Sequence, residues 1–506
     1  MKLSKENLKS ISTNTGIKLP YPNVFSLPEK VLQFGTGVFV RGLIDYLIDK
    51  ANNQEIFNGR VVVVKSTNVG NTNAFKNQDN LYTLVMKSVD EDVEIEETVV
   101  CAAISRVLSA SDEWSEVLNC ASNPQLQIII SNTTEVGISM VENDPINANP
   151  PVSFPSKLLS FLYERYKIFN GSSQSGMVII PTELIPDNAT KLKDIVNTLA
   201  WQNGLDPKFI TWLSECNDFC NSLVDRIVPG KLPKEAHDAV ESKLGYEDDL
   251  MIMSETFALW AIETDNKRTK ELLSFREVHP QIYVVPDIGK FRELKLRLLN
   301  GSHNLSCAVG FIARFNTVRD SMVNPVFGGY MQRLILDEIA PSIVSEFISL
   351  KEARQFGAQV LDRYRNPHIE FEWLSICVQD TSKIKIRAVP IVVQYYEKYG
   401  YVPHCICIGF AAYILFMKCK KSENGTYIGQ LVTGKDYIVN DDFASNLAEK
   451  WASMKWTQDL AQAVLGDRKL WDIDLSQLKG FAERIALHLD NLITYGAPYT
   501  IDSAKP

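Results

Sequence analysis

The feature that most constrains the fold lies near the amino terminus. A short apolar run, VLQF (residues 31–34), leads directly into GTG (residues 35–37) and then into VFVRGLIDYLIDKANN, whose apolar residues recur at helical spacing. A strand, a glycine turn and a helix in this order open the nucleotide-binding half of a doubly wound parallel sheet. The third glycine position of the usual pattern holds Val40, so a tight turn without a ligand is the alternative.

Two further apolar runs end in polar clusters. LQIII (residues 126–130) is followed by SNTTE (residues 131–135), and MVII (residues 177–180) is followed by Glu183, Asp187 and Asn188. Ligands bind at the carboxyl ends of parallel strands, so both clusters are candidate contacts. The alternatives are helix caps, with Glu135 in a first helical turn and Asn188 as a cap.

The second strand, VVVV (residues 61–64), bears on the choice of cofactor. Enzymes that use NAD often place an acidic residue after this strand to hold the ribose hydroxyls. Here Lys65, Ser66 and Thr67 follow instead. These residues leave NAD and NADP both open.

The pattern changes near residue 287. QIYVVPDI (residues 281–288) is predicted to be the last strand of the sheet, and long amphipathic helical patterns dominate after it. We therefore expect an α/β protein with a Rossmann-like dinucleotide-binding domain at residues 1–286. A mostly α-helical substrate and catalytic domain is predicted at residues 287–506.

Composition excludes several functional classes. A net charge of −9 provides no bulk basic field for nucleic acid or an anionic membrane. The nine cysteines form no CxxC pair, so we expect reduced thiols in a cytoplasmic protein and no metal site. The first ten residues contain no apolar run of the kind a signal sequence has, and no apolar run reaches membrane length, so we expect neither a signal sequence nor a membrane span.

The segment KLRLLNGSH (residues 295–303) carries candidate catalytic groups. On an α-helix at about 100° per residue, Asn300 lies roughly 140° and His303 roughly 80° from Lys295. Leu296 and Leu299 fall in the same arc, and burial there would lower the pKa of Lys295 towards a useful range. The alternative is an ordinary core helix with an exposed lysine and a hydrogen-bonded histidine.

Five marks in one order give the chain a resemblance. They are FGTGVFVR (residues 34–41), SNTTEVGI (residues 131–138), NSLVDRI (residues 221–227), the set Lys295, Asn300 and His303, and RNP (residues 365–367). Together they resemble the mannitol dehydrogenase family of polyol-specific long-chain dehydrogenases and reductases. The resemblance covers nearly the whole chain.

The resemblance implies a role for each marked residue. Lys295 would be the general acid/base, Asn300 and Asn188 would hydrogen-bond the developing alkoxide, and His303 would orient the substrate. Asp225 would bind substrate or order water, and no metal would be required. The cofactor would be NAD(H), held by Phe34, Gly35, Thr36, Gly37, Val38, Phe39, Arg41, Asn132, Thr134 and Glu135.

Within the family, SNTTEVGIS, PTELI, FCNSLVDRIVPG and RNPHIE are most similar to one branch. That branch interconverts D-altronate and D-tagaturonate with NAD(H) in hexuronate breakdown. Glu183 and Leu184 stand where polyol enzymes tend to carry an Asp–Asn pair, which disfavours mannitol. Alternatives are a fructuronate-reducing enzyme, a mannitol or other polyol dehydrogenase, and a non-catalytic dinucleotide-binding regulator.

A hexuronate carries a carboxylate that a positive group should bind. The candidates are Arg365, Lys383 and Arg387, and Arg365 ranks first because it belongs to the RNP motif. Each of them has the alternative of a surface charge or an interdomain ion pair. The expected partner is thus a small-molecule hexuronate, without nucleic acid or membrane, and the oligomeric state is left open.

Overall fold

The computed structural model describes residues 1–67, 71–90, 93–133 and 136–503. It divides into two compact units. The amino-terminal unit consists of Met1–Ser88 and Ile95–Ile288, and the carboxy-terminal unit consists of Val89–Glu94 and Gly289–Pro506.

The first twelve strands, in chain order, are β1 (Glu29–Phe34), β2 (Arg60–Lys65), β3 (Tyr82–Asp90), β4 (Val93–Cys101), β5 (Ile104–Ser109), β6 (Ile128–Ser131), β7 (Val178–Pro181), β8 (Asp218–Phe219), β9 (Ser222–Asp225), β10 (Ile252–Ser254), β11 (Leu259–Glu263) and β12 (Ile282–Val285).

Six of these strands form the main sheet of the amino-terminal unit. Their order is β5-β2-β1-β6-β7-β8, and every neighbouring pair is parallel. The chain therefore winds outward from β1 in one direction and then from β6 in the other. The carboxyl ends of β1 and β6 mark the point where the winding reverses, which is where open sheets of this kind bind ligands.

The main sheet is buried on both faces. Val31 and Val61 belong to the core on one face, whereas Leu32 and Val62 belong to the core on the other. This alternation follows the two-residue period of a strand. The nearly continuous apolar runs that predicted these strands are typical of parallel strands covered on both faces.

The α-helices of the amino-terminal unit are α1 (Val38–Val40), α2 (Tyr46–Asn52), α3 (Asn73–Asn77), α4 (Trp114–Asn119), α5 (Phe154–Ile168), α6 (Asn188–Gln202), α7 (Pro207–Glu215), α8 (Lys234–Leu244) and α9 (Lys267–Leu272).

The prediction for residues 281–288 is wrong in one respect. β12 forms there, but it belongs to a separate three-stranded sheet of order β12-β11-β9 rather than to the main sheet. The main sheet ends at the two-residue β8, and β11 pairs with β9 in antiparallel fashion and with β12 in parallel. A pattern of apolar residues identifies a strand but not the strand with which it pairs.

The first 28 residues are part of the amino-terminal unit and pack against it. Leu3, Ile11 and Ile17 are buried in a small apolar cluster with Val100 and Tyr246. The backbone joins the unit as well, because the Leu3 N–H donates to the Glu247 carbonyl at 3.0 Å.

The α-helices of the carboxy-terminal unit are α10 (Gly289–Leu294), α11 (Ser302–Ile312), α12 (Val318–Val323), α13 (Pro325–Gln332), α14 (Ala340–Ser342), α15 (Leu350–Arg365), α16 (Trp373–Ile376), α17 (Asp380–Arg387), α18 (Val389–Tyr399), α19 (His404–Phe416), α20 (Ala444–Ser453), α21 (Thr457–Leu465), α22 (Arg468–Trp471), α23 (Phe481–Tyr495) and α24 (Ala497–Ser503).

The carboxy-terminal unit is helix-rich, as predicted. Its centre is α19, whose sequence HCICIGFAAYILF is apolar on all sides and which packs against α11 and α23. A helix that is hydrophobic all round belongs inside a core. The short strands β13 (Cys419–Lys421), β14 (Tyr427–Gln430) and β15 (Asp436–Ile438) add one small antiparallel sheet. Within the ranges that the structure describes, each helix is too short or too polar to cross a membrane.

A buried amide and a buried carboxyl support the glycine turn from behind. The Gln33 Nε2 donates to the Gly35 carbonyl at 3.2 Å and to Asp45 Oδ2 at 3.3 Å. Burial raises the pKa of Asp45 from 3.8 to about 7. Among the described residues, neither Gln33 Oε1 nor Asp45 Oδ1 has a hydrogen-bond partner. A proton on Asp45 removes the buried charge, so we expect the folded protein to hold this carboxyl neutral below pH 7.

Asp45→Asn therefore tests how much the ionisation of this buried carboxyl lowers the free energy of unfolding. Because the folded pKa lies above the unfolded one, ionisation destabilises the wild type progressively as the pH rises from about 4 to 7. Asparagine does not ionise, so the variant's gain in free energy of unfolding should be about 2–3 kcal/mol larger at pH 8.5 than at pH 5. Urea unfolding at both pH values measures this difference. The exposed control Asp194→Asn should show no such dependence, and an equal gain at both pH values would contradict the assignment.

Candidate active site

Gly35 lies where the ends of β1 and β6 come closest. Its φ is +131°, and a Cβ at this position would lie 2.6 Å from the Asn132 carbonyl oxygen. The Gly35 N–H donates to the Val64 carbonyl at 3.0 Å, which ties the turn to β2 as well. A side chain is therefore excluded by both the backbone conformation and the neighbouring strand.

Gly37 differs from Gly35, because it faces open space. Its φ is −61°, it precedes the first residue of α1, and nothing lies within 4 Å of the position a Cβ would take. The first turn of a helix has backbone N–H groups without intrahelical acceptors. An exposed glycine at a helix amino terminus thus fits a phosphate group that approaches the backbone, which is what a dinucleotide requires.

The remaining residues of the glycine segment have structural surroundings. Phe34 is fully buried and contacts the ring of Phe154, with a centroid distance of 5.2 Å. Thr36, Val38 and Phe39 are half-buried. Gly42 allows a close approach, because a Cβ there would lie 2.8 Å from Val228.

Arg41 faces inward. Its Nη1 donates to the Leu250 carbonyl at 2.7 Å, and its guanidinium lies over the rings of Phe75 and Tyr82. Burial lowers the pKa of this arginine. The side chain thus stabilises the core of its own unit, and the predicted cofactor contact at Arg41 stays a prediction.

Asn132 and Thr133 are held at the end of β6 by the end of β7. The Asn132 Nδ2 donates to the Thr182 hydroxyl at 3.1 Å, and Glu183 Oε1 accepts from both the N–H and the hydroxyl of Thr133 at 2.9 Å. Glu183 Oε2 also accepts from the Ser131 hydroxyl at 3.1 Å. Sequence reasoning missed this anchoring role of Glu183. The predicted cofactor contacts Thr134 and Glu135 lie outside the described residues.

The last residue of β2 is a hydrogen-bonded lysine, and the next residue carries a hydroxyl without a partner among the described residues. The Lys65 Nζ donates to the Thr67 carbonyl, and the lysine is 7% exposed. The Ser66 Oγ is buried without a hydrogen-bond partner among the described residues. A hydroxyl in this state, at the position where such sheets bind a ribose, fits a dinucleotide.

Asn188 is completely engaged inside the amino-terminal unit. Its Nδ2 lies within 3.1 Å of the carbonyls of Pro181, Glu183 and Ser222, and its Oδ1 accepts from the Ser222 N–H at 3.0 Å. An amide has only two hydrogens to donate, and backbone carbonyls use both. Asn188 thus joins the end of β7 to β9, and its predicted role as a donor to the substrate stays a prediction.

Asp225 ends β9 and is 8% exposed, and the structure pairs it with Leu259 of β11. Its neighbour Arg226 is structural. The guanidinium donates to the carbonyls of Glu255 and Gly42, and burial lowers its pKa.

Lys295 and Asn300 are related by a π-helix, Lys295–Gly301, inserted between α10 and α11. In a π-helix the hydrogen bonds run from residue i to residue i+5, so each turn holds more residues than an α-turn. The spacing from Lys295 to Asn300 is five residues. The amine and the amide therefore lie closer in angle than the 140° that an α-helix predicts, and both are half-buried. π-turns of this kind occur frequently at functional sites.

His303 is fixed by aromatic rings. Its imidazole stacks on Tyr364, with centroids 4.4 Å apart and planes 22° apart, and the edge of Phe371 lies at 5.9 Å. The Tyr364 hydroxyl in turn donates to the Leu299 carbonyl at 2.9 Å. These contacts thus fix the plane of the His303 ring.

The three basic candidates have different surroundings. Arg365 ends α15 and forms an ion pair with Asp362 at 3.2 Å, and Lys383 donates to the Ile376 carbonyl at 3.1 Å. Arg387 donates from Nη1 to Asn304 Oδ1 at 2.9 Å. Only the last of these bonds reaches the helix that carries Asn300 and His303.

The structure thus brings the predicted residues together in two sets. Gly35, Gly37 and Asn132 meet in the amino-terminal unit, at the reversal point of its sheet. Lys295, Asn300, His303 and Arg387 lie on or against one helical stretch of the carboxy-terminal unit.

Comparison with family models covers both sets. The Mannitol dehydrogenase Rossmann domain model matches residues 29–274, and the Mannitol dehydrogenase C-terminal domain model matches residues 287–493. The chain belongs to the mannitol dehydrogenase family. It is therefore an oxidoreductase that acts on CH–OH groups, a polyol or sugar-acid dehydrogenase with a nicotinamide dinucleotide cofactor.

Curated relatives of this family member extend over nearly its whole length. The altronate oxidoreductase of Bacillus subtilis (strain 168) is 35% identical over 482 residues, which cover 94% of this chain and 95% of the relative. The altronate oxidoreductase of Pectobacterium carotovorum is 32% identical over 476 residues, which cover 93% and 95%.

Solved structures share the fold at lower identity. The mannitol 2-dehydrogenase of Pseudomonas fluorescens, in a complex with NAD and D-mannitol, has a TM-score of 0.69 at 20% identity and covers 99% of both chains. A substrate-free D-sorbitol dehydrogenase has a TM-score of 0.80 at 19% identity and covers 99% of this chain and 100% of its own.

Alanine variants of Gly35 and Gly37 distinguish a glycine that the backbone conformation requires from a glycine that leaves room for a ligand. Gly37→Ala should leave the melting temperature unchanged, because its φ is ordinary and its Cβ meets nothing within 4 Å. The same Cβ would obstruct a bound pyrophosphate, so we expect the Kd for NADH to rise about tenfold, or about 1.4 kcal/mol. Gly35→Ala should instead lower the melting temperature, because of its φ of +131° and the Asn132 carbonyl.

Thermal unfolding and NADH fluorescence titration measure the two effects. Unaltered NADH binding by a stable Gly37→Ala protein would show that no ligand approaches the backbone there.

Proposed function

We propose that the chain reduces D-tagaturonate to D-altronate with NADH in hexuronate catabolism, and that the reaction is reversible. The observation that carries the proposal is the π-helix that relates Lys295 to Asn300, with the oriented His303 in the next turn. The two curated relatives named altronate oxidoreductase, which match over more than nine-tenths of the chain, support the choice of substrate.

The choice of NADH over NADPH rests on the residues at the end of β2. A 2′-phosphate needs an accessible cation, and Lys65 already donates to the Thr67 carbonyl in a buried position. The unpartnered Ser66 hydroxyl suits a neutral ribose hydroxyl instead. The glycine turn and Asn132 would then hold the rest of the dinucleotide, whose contribution when bound is the hydride.

Lys295 is the proposed general acid/base. In reduction its ammonium donates a proton to the carbonyl oxygen of the ketouronate as that oxygen becomes negative. In oxidation the neutral amine accepts the hydroxyl proton. A positioned acid/base of this kind typically contributes 10²–10⁴-fold in rate.

Asn300 is the proposed stabiliser of the oxygen that receives the proton. Its amide can donate a hydrogen bond to the developing alkoxide, and one such donor is typically worth about 3 kcal/mol in the transition state. His303 is proposed to hydrogen-bond and orient the substrate, since its stacking on Tyr364 fixes the ring. Asp225 is proposed as a further substrate contact at the end of β9.

We also propose a cytoplasmic location. All nine cysteines are unpaired, and eight of them are buried. Free thiols in this number suit a reducing compartment.

The proposal is tested by following the loss of NADH absorbance with purified protein. D-tagaturonate, D-fructuronate and D-fructose are compared as substrates, with NADPH in parallel. We expect rapid turnover of tagaturonate with NADH, and a loss on the order of 10²–10⁴-fold in Lys295→Ala. Lys290→Ala is the matched control, since Lys290 lies on the same helical stretch in a surface ion pair with Glu352.

Each result decides a different part of the proposal. Turnover of fructuronate instead would keep the chemistry and change the substrate. NADH binding without turnover of any ketone would overturn the enzymatic assignment in favour of a regulator. Equal losses in Lys290→Ala and Lys295→Ala would remove Lys295 from its proposed role.

A further inference from the structure

Arg387 lies against the helix that carries the proposed catalytic groups. It is the last residue of α17, and its Nη1 donates to Asn304 Oδ1 at 2.9 Å. Asn304 directly follows His303 and lies four residues after Asn300, so Asn300 and Asn304 share one side of the helix. Gly301 makes this approach possible, because a Cβ there would lie 2.9 Å from Ile391 and 3.4 Å from the Arg387 carbonyl oxygen.

A second bond fixes the orientation of the Asn304 amide. Its Nδ2 donates to Asp380 Oδ1 at 2.6 Å, and the thiol of Cys307 donates to Asp380 Oδ2 at 3.3 Å. Because the carboxylate accepts from the nitrogen of the amide, the oxygen must face the guanidinium. Asp380 and Asn304 are both buried, at 0% and 1% exposure. The hydrogen bond to the oriented Asn304 amide therefore holds the guanidinium of Arg387 in a defined position.

The charge of Arg387 is incompletely matched within the described residues. A guanidinium has five N–H donors, and Asn304 is the single acceptor that the described residues provide. None of the described carboxylates forms a direct ion pair with it, and partial burial lowers its pKa. Its Nε and Nη2 atoms are not buried without a partner, so both of these donors reach solvent. A partly buried cation without a counterion is costly, and a bound anion would relieve that cost.

Three other basic residues of the carboxy-terminal unit pair with carboxylates. Arg365 pairs with Asp362 at 3.2 Å, Lys385 pairs with Asp472 at 2.6 Å, and Arg297 pairs with Glu293 at 2.9 Å. Lys383 donates to the carbonyl of Ile376 at 3.1 Å. Arg387 thus differs from Arg365, Lys385 and Arg297 because it has no carboxylate partner among the described residues. It differs from Lys383 because its bond reaches the helix that carries the proposed catalytic groups.

We propose that Arg387 binds the carboxylate of the hexuronate substrate, and that Asn304 and Asp380 are positioning residues for its guanidinium. This assignment rests on the proposed function and replaces Arg365 as the first-ranked carboxylate-binding residue. A fork of parallel N–H donors matches the two oxygens of a carboxylate, which gives the site a preference for uronates over neutral ketoses.

The test compares Arg387→Gln with the wild type on D-tagaturonate and on D-tagatose, which lacks the carboxylate. We expect kcat/KM for tagaturonate to fall at least 30-fold, mainly through KM, because one partner of a charge pair is lost. The value for tagatose and the Kd for NADH should change by less than about twofold, as they do not involve the carboxylate. Arg387→Lys should recover only part of the loss, because a point charge replaces the fork.

Three further variants make the test specific. Lys385→Gln, two residues away on α17, is the matched control and should behave as the wild type. Arg365→Gln tests the rival assignment. Asn304→Ala should lower the ratio of kcat/KM for tagaturonate over tagatose in the same direction as Arg387→Gln, which a general loss of packing would not do.

The outcomes separate this assignment from the proposed function. A wild-type protein that turns over no uronate contradicts the function itself. An active wild type whose Arg387→Gln variant matches Lys385→Gln contradicts only the role of Arg387. A large KM effect in Arg365→Gln alone transfers the carboxylate to Arg365, and parallel losses of uronate turnover and NADH binding in Arg387→Gln show a structural role.

Discussion

The close approach of β1 and β6 at the reversal point of the sheet determines the candidate cofactor site of the amino-terminal unit. Because the Asn132 carbonyl leaves no room for a Cβ at residue 35, the turn must contain glycine, and the helix begins directly beyond it. The position of Asn132 depends in turn on Thr182 and Glu183 at the end of β7. Three neighbouring strand ends are thus connected by short polar contacts, with Gln33 and Asp45 behind the turn. Gly37, two residues beyond Gly35, faces open space.

The carboxy-terminal unit positions its polar groups in a different way. Its candidate residues lie along one helical stretch, in which the π-helix from Lys295 to Gly301 changes the angular spacing of the side chains. Residues behind this stretch hold it in place: Tyr364 contacts His303 and the Leu299 carbonyl, and Asp380 holds Asn304. Burial raises the pKa of Asp380 to about 7. The negative charge of this carboxyl, which accepts from Asn304, therefore lowers the stability of the folded protein. Polar groups in such a core specify a geometry as much as they stabilise it.

Sequence patterns predicted the parts of the fold that have a simple period. The runs VLQF and VVVV became β1 and β2, and the all-apolar HCICIGFAAYILF became the central helix α19. They did not predict which strands pair, so β12 was assigned to the wrong sheet. They also did not predict the direction in which a polar side chain points. Arg41 and Asn188 satisfy backbone carbonyls inside the core, and only the surrounding strands reveal those partners. The helical wheel for Lys295 assumed an α-helix, and no local residue signals the π-helix.

A partly buried arginine without a carboxylate partner lowers the stability of the folded protein, and binding of an anionic substrate can offset this loss. If a side chain of the protein neutralised Arg387, a substrate carboxylate would have to displace that partner and lose part of its binding energy. The contact through Asn304 avoids this competition, because the amide orients the guanidinium while Asp380 stays one residue removed from it. A neutral ketose has no carboxylate for the guanidinium to bind, so it gains no binding energy from Arg387, whereas a uronate does. Selectivity for a uronate can therefore arise because the folded protein leaves the charge of Arg387 without a directly bound carboxylate. The buried Asp380, which contacts Asn304, reduces the cost of that unpaired charge by electrostatic attraction.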